Sequence, residues 1–175
     1  NRNQILQYYM IFGGVPYYWG FLKKGLSLSQ NIDSILFEKD APLRDEFKYL
    51  YASVFKKPEN YVKIIEALGT KKVGMTREEI ITSTKIPNSG DLTTKLEELE
   101  SCGFIRKYNA FGMKKKNAIY QLMDCFTLFY FKFLKSEPTD EHFWTNQINT
   151  PAVNTWLGLA LERVCICLLY TSDAA

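Results

Sequence analysis

Three groups of residues in this 175-residue chain have a type and spacing that could do chemistry. The first is basic. Arg106, Lys107, Lys114, Lys115 and Lys116 place five positive charges between Phe104 and Asn117, with no acid among them. Such a run is either a solvated face, a set of phosphate contacts, or a surface that docks onto another part of the same protein. The second is acidic. Between Asp91 and Cys102 the chain has Asp91, Glu97, Glu98 and Glu100 against Lys95, a net of −3. That is the wrong sign for a phosphate backbone, although Ser89, Thr93, Thr94 and Lys95 could still touch a groove edge. The third is Gly13-Gly14-Val15-Pro16, which joins conformationally permissive residues to one of fixed φ. It stops one helix and starts the next.

Other chemistries are excluded. No GxxxxGK[ST] occurs, so nothing cradles the β- and γ-phosphates of a nucleotide and ATP hydrolysis is not expected of this chain alone. Four cysteines without a CxxC pair, and the single His142, make no convincing zinc site. No catalytic or metal-ligating residue is therefore assigned, and a reduced, cytoplasmic protein is the default. The longest apolar run, Phe126 to Leu134, is nine residues and contains Lys132, so no transmembrane helix or membrane partner is expected. A composition of 46% apolar and 23% charged residues excludes wholesale disorder, and a net charge of +3 neither demands nor forbids nucleic acid.

The elements that must position these groups are mostly helices. Ile5, Leu6, Tyr9 and Met10 share a helical face that Gly13-Gly14 ends. Pro16 opens a helix expected to reach about Lys24, and Ser29 is read as the cap of a third with Ile32, Ile35 and Leu36. Leu43, Phe47, Leu50 and Val54 mark a fourth, ended near Pro58. From about Asn60, Val62, Ile65 and Leu68 mark another helix, and Thr76 with Glu79 forms a capping box for a short one. Turn chemistry at Lys85–Gly90 precedes a helix lined by Leu92, Leu96 and Leu99 and ended by Gly103. Phe104–Tyr108 and Ala118–Leu122 alternate as two strands. Helix, short helix, turn, helix and hairpin is the order of a winged helix-turn-helix. The expected fold class is thus mainly α with a small β-hairpin: a helical bundle followed by a winged helix-turn-helix. The aromatic stripe Phe126, Phe129, Tyr130 and Phe133 reads as packing rather than a ligand box, Glu137–Asp140 as a linker, and about Pro151 to Val164 as a last helix.

Three stretches together carry a family resemblance: Tyr8–Tyr18, the unit ending Cys102-Gly103-Phe104-Ile105-Arg106, and Trp156-Leu157-Gly158-Leu159-Ala160-Leu161-Glu162. They resemble the C-terminal half of archaeal-type AAA+/STAND P-loop ATPases. The resemblance implies a helical ATPase lid over 1–58, a winged helix-turn-helix over 59–123, and over 124–166 linker helices with the start of a PD-(D/E)xK nuclease-like domain. It implies that Gly14 and Pro16 face the nucleotide as a GxP signature, and that Glu162 matches a carboxylate of the nuclease-like site, although Leu161 stands where that pattern has Phe. ATP with Mg2+ is implied for the full-length parent and no cofactor for this fragment alone. The implied partners are the missing ATPase core of the same chain and double-stranded DNA through the wing. The residues leave two rivals open, a stand-alone winged-helix regulator and a protein-interaction module. Residues 167–175, Cys-Leu-Leu-Tyr-Thr-Ser-Asp-Ala-Ala, look like translated transposase-type adapter sequence. They are expected to lie outside the packed unit, with the native chain continuing differently past about residue 166.

Overall fold

The computed structural model describes residues 2–109 and 118–172, the last six by backbone alone. The chain divides into two compact units: Asn1–Phe47 with Cys125–Ala175, and Lys48–Asp124. Residues 1–47 of the segment expected as lid therefore share a unit with the expected tail, residues 48–58 go with the other unit, and the division at 47/48 falls inside a helix.

In the first unit, helix α1 (Arg2–Phe12) ends where Gly13 turns to φ +63° and donates to the Tyr9 carbonyl at 2.8 Å. Helix α2 (Pro16–Trp19) is a single turn, not the longer helix expected to Lys24. The buried side chain of Asn31 accepts from the Lys23 amide (2.8 Å) and donates to the Lys23 carbonyl (3.2 Å), which holds the following residues in a loop. Helix α3 (Leu28–Ile32) is capped by Ser27, not Ser29. Ser27 and Gln30 form a reciprocal capping box, and Leu28 then lies buried in the first turn. The helix widens into a π-helical segment, Asp33–Phe37, which buries Ile35, Leu36 and Phe37. A second π-helical segment, Tyr130–Leu134, continues α8 (Cys125–Phe129).

The aromatic stripe is packing. Phe126 meets Tyr18 at 5.3 Å, Phe129 meets Trp144 at 5.2 Å and Trp156 at 5.4 Å, and Phe133 meets both Trp144 and Trp156 at 5.3 Å. Past the expected linker lies an unexpected short helix, α9 (Phe143–Gln147). It is fixed by Asp33, whose buried carboxylate accepts from the amides of Trp144 (2.7 Å) and Thr145 (3.1 Å) and from the Thr145 hydroxyl (2.6 Å). Asp33 thus satisfies the orphan N–H groups at the start of α9 from a distant helix. The last helix, α10 (Pro151–Ser172), is longer than expected. Side chains from 167 onward lie outside the described residues, as does the expectation that 167–175 stand apart from the core.

Helix α4 (Glu46–Val54) begins in the first unit and continues into the second. Its buried stripe is Leu43, Phe47, Tyr51 and Phe55, an i, i+4 ladder, whereas Val54, expected inside, is 47% exposed. In the second unit, α5 (Glu59–Thr70) buries Tyr61, Ile64, Ile65 and Leu68. Strand β1 (Met75–Thr76) leads directly into α6 (Arg77–Thr84), opened by the expected Thr76/Glu79 capping box. Helix α7 (Gly90–Ser101) buries Leu92, Leu96 and Leu99 as expected, and Gly103 leaves it at φ +77°. Strands β2 (Ile105–Tyr108) and β3 (Ile119–Leu122) pair antiparallel, with Ile105 opposite Leu122 and Tyr108 opposite Ile119. The sequence pattern missed β1, which pairs with β3 and makes a three-stranded antiparallel sheet of order β1-β3-β2. Gly74 makes that third strand possible: at φ +87°, a Cβ there would lie 2.5 Å from the Tyr120 carbonyl oxygen. The protein is mainly helical, with this one small sheet among the described residues.

Candidate functional site

The two units carry opposite charge. Lys48–Asp124 has 14 Lys and Arg against nine Asp and Glu, net +5; the other unit has eight against ten, net −2. The basic candidates all lie in the positive unit.

Strand alternation separates two of them. Arg106 and Lys107 are neighbours in β2, so their side chains leave on opposite faces of the sheet. Arg106 donates from Nε to Gln121 Oε1 at 2.8 Å and lies over the Tyr108 ring, 4.8 Å from its centre. Tyr108 is held in turn, its hydroxyl donating to the Val73 carbonyl at 2.8 Å, and Gln121 donates to the Lys72 carbonyl at 2.7 Å. Lys107 is exposed and reaches over Tyr120, which is opposite it in register, at 5.8 Å. The described strands therefore present basic groups on both faces rather than one patch. Lys114, Lys115 and Lys116 lie outside the described residues. Sequence reasoning missed Tyr108 and exposed Lys72 as parts of this surface, because both depend on the segment that β1 brings to the sheet.

Helix α7 is less basic in place than in composition. Lys95 pairs with Asp91 and lies over the Tyr61 ring at 5.3 Å, with only 12% of its side chain exposed. The Tyr61 hydroxyl donates to the Glu98 carboxylate. Burial, then the adjoining Glu98 carboxylate, pushes the Tyr61 phenol up to about 12. The exposed side chains of the helix are left as Asp91, Thr93, Thr94, Glu97, Glu100 and Ser101. Thr93 and Thr94 turn their hydroxyls back to the carbonyls of Ser89 and Gly90. The start of α7 is positioned by Arg77, which donates to Asn88 Oδ1 (3.0 Å) and the Ser89 carbonyl (2.9 Å).

In the other unit, Gly14, Val15, Pro16 and Tyr17 form an exposed turn, and Pro16 occupies the first helical position of α2. The Trp19 indole donates to the Gly13 carbonyl at 2.9 Å, closing the turn from beneath. Tyr8 flanks it, between Phe12 at 6.3 Å and Trp19 at 6.2 Å; burial raises its phenol, opposed by a hydrogen bond with Asn31. The left-handed backbone falls on Gly13, not on Gly14, where a Cβ would meet Tyr9 at an ordinary 3.6 Å. Close approach of a ligand at Gly14 is therefore not something the fold itself demands. Glu162 and His142 are exposed, and the His142 amide donates to Asp140. Among the described residues no three His, Cys, Asp or Glu side chains are gathered to hold a metal ion, and no helix is long and apolar enough to cross a membrane. Compared with protein-family models, with curated proteins and with solved structures, the chain matches none.

Proposed function

We propose that residues Lys48–Asp124 are a winged helix-turn-helix that contacts duplex DNA through its hairpin, as the output part of an AAA+/STAND-like ATPase. One observation carries the reading: the positive unit has the element order α5-β1-α6-α7-β2-β3 with sheet order β1-β3-β2, and its hairpin segment is purely basic. The contact is to phosphate. Arg106 and Lys107 on the strands, and Lys114, Lys115 and Lys116 in the sequence between them, neutralise backbone charge, while acidic α7 contributes little base reading. Binding is then weak, strongly salt-dependent and insensitive to sequence.

The first unit, in this reading, contains the lid, with Gly14 and Pro16 at an exposed turn that a nucleotide's adenine side could meet. ATP with Mg2+ belongs to the parent; this chain offers that turn and no phosphate-binding motif, so its residues support no hydrolytic step. A second reading, the protein-interaction module, is favoured by the occupied Lys95 and the acidic exposed face of α7. The test is binding of the full chain to mixed-sequence duplex over a series of salt concentrations. Affinity that falls with salt and is indifferent to Thr93→Ala and Thr94→Ala supports the DNA reading. No binding at low salt overturns it in favour of the interaction module.

A further inference from the structure

In the described sheet β2 is an edge strand. Antiparallel pairing turns alternate backbone groups away from the partner strand, and here Lys107 shows which ones: its N–H donates not to β3 but to Glu100 Oε1, at 3.0 Å. Ile105 shares that parity. Among the described residues the group that meets this edge is thus the exposed Glu100 carboxylate, from the last turn of α7, and not another strand. An unpaired strand edge is a template for another strand unless something blocks it. Arg106 and Lys107 flank this edge on opposite faces of the sheet, so the side chains of an incoming strand meet positive charge on both.

We propose that the outer edge of β2 takes an extended acidic peptide by strand addition, with Glu100 as an intramolecular guard that the peptide displaces. Main-chain bonds to Ile105 and Lys107 supply the register, and Arg106 and Lys107 select acidic side chains. A second copy of β2 is a poor occupant, because antiparallel self-pairing through the outward groups of Ile105 and Lys107 sets Arg106 opposite Arg106, and like charges face each other. The proposal does not depend on DNA binding, since the outward N–H of Lys107 has no part in phosphate contact by its side chain.

The test uses the full chain and a fluorescein-labelled octapeptide of alternating Glu and Val, with alternating Lys and Val as control, followed by fluorescence anisotropy. The Glu peptide binds and the Lys peptide does not. Glu100→Ala tightens binding by about three- to tenfold, the scale of one net hydrogen bond. Lys107→Gln keeps the amide and weakens binding through charge alone. Lys107→Pro weakens it by about threefold or more beyond that, because only Pro removes the N–H. Pro is tolerated at an edge position whose N–H points outward, and circular dichroism checks the fold. If Lys107→Pro does not fold, amide hydrogen exchange replaces it: the Lys107 amide exchanges faster in Glu100→Ala and is protected again by the Glu peptide. Equal binding of the two peptides, or no binding even to Glu100→Ala, overturns the proposal. Concentration-dependent dimers of Glu100→Ala without peptide overturn it too, by giving the edge to a second copy.

Discussion

Both units pack a cluster of rings, but they differ in what accompanies it. Residues 1–47 with 125 onward are held by an aromatic cluster, Phe129, Phe133, Trp144 and Trp156, and by the buried polar pair Asn31 and Asp33, which fix loops and a helix start. Residues 48–124 have a ring cluster of their own, Tyr51, Phe55, Tyr61 and Phe104, together with the aliphatic stripes Ile64, Ile65 and Leu68 and Leu92, Leu96 and Leu99, closed by helix caps and one obligatory glycine. Aromatic side chains bury large areas each, and those of the first unit include two buried tryptophans, Trp144 and Trp156. The second has no tryptophan and leaves charged side chains at the surface. The net charges, −2 and +5, follow the same division: the unit without tryptophan is the one with the excess of basic residues.

The largest effect that would break this comparison is in the aromatic cluster. Trp144→Ala should cost about 3–5 kcal/mol, measured by urea unfolding, because a fully buried indole leaves a cavity among three rings. Trp144→Phe should cost clearly less, since the buried Trp144 Nε1 has no hydrogen-bond partner to lose among the described residues. Equal costs would show that the indole N–H is satisfied. Asp33→Ala should cost about 1.5–3 kcal/mol by the same measurement, the loss expected when buried donors lose a charged acceptor.

Much of this was legible before the structure. The helices with a clean stripe, such as Leu92-Leu96-Leu99, and those with caps, such as Thr76/Glu79, were found because local signals set them. What was missed depends on distant partners. Strand β1 is two residues long and exists only because β3 pairs with it. Helix α9 is capped by Asp33, more than a hundred residues earlier. The true stripe of α4 includes Tyr51 and Phe55, which an aliphatic reading overlooked in favour of Val54. At the candidate site the residue types were visible, but the splitting of Arg106 from Lys107 follows from strand parity, and the tying-up of Lys95 from Tyr61 on another helix.

Smaller effects sharpen the picture of the second unit. Gly74→Ala should destabilise it by about 1–3 kcal/mol, through overpacking against the Tyr120 carbonyl, while leaving the near-ultraviolet signal of the tryptophans in the other unit little changed. Thr76→Ala should cost about 1 kcal/mol as a lost cap. Titration separates two further contributions by sign. A hydrogen bond from Lys71, and another from the Thr76 amide, hold the Glu79 carboxyl below its ordinary value. Its contribution is present above that value and lost as pH falls through the folded one; Glu79→Gln should flatten acid unfolding. Tyr61 runs the other way. Its phenol is raised from 10.0 to about 12, so its contribution is complete below pH 10 and lost as pH rises towards 12. Tyr61→Phe should remove that alkaline slope.

The central claim is that the basic unit binds duplex DNA by phosphate contact through its hairpin, and the salt dependence of binding tests it most directly. Wild type and a variant carrying Lys114→Ala, Lys115→Ala and Lys116→Ala together are titrated onto mixed-sequence duplex at several salt concentrations. If each lysine neutralises one phosphate, the slope of log K against log[salt] flattens by roughly 2.7 in the variant. Equal slopes for the two proteins would contradict the account and leave the lysines as a solvated surface.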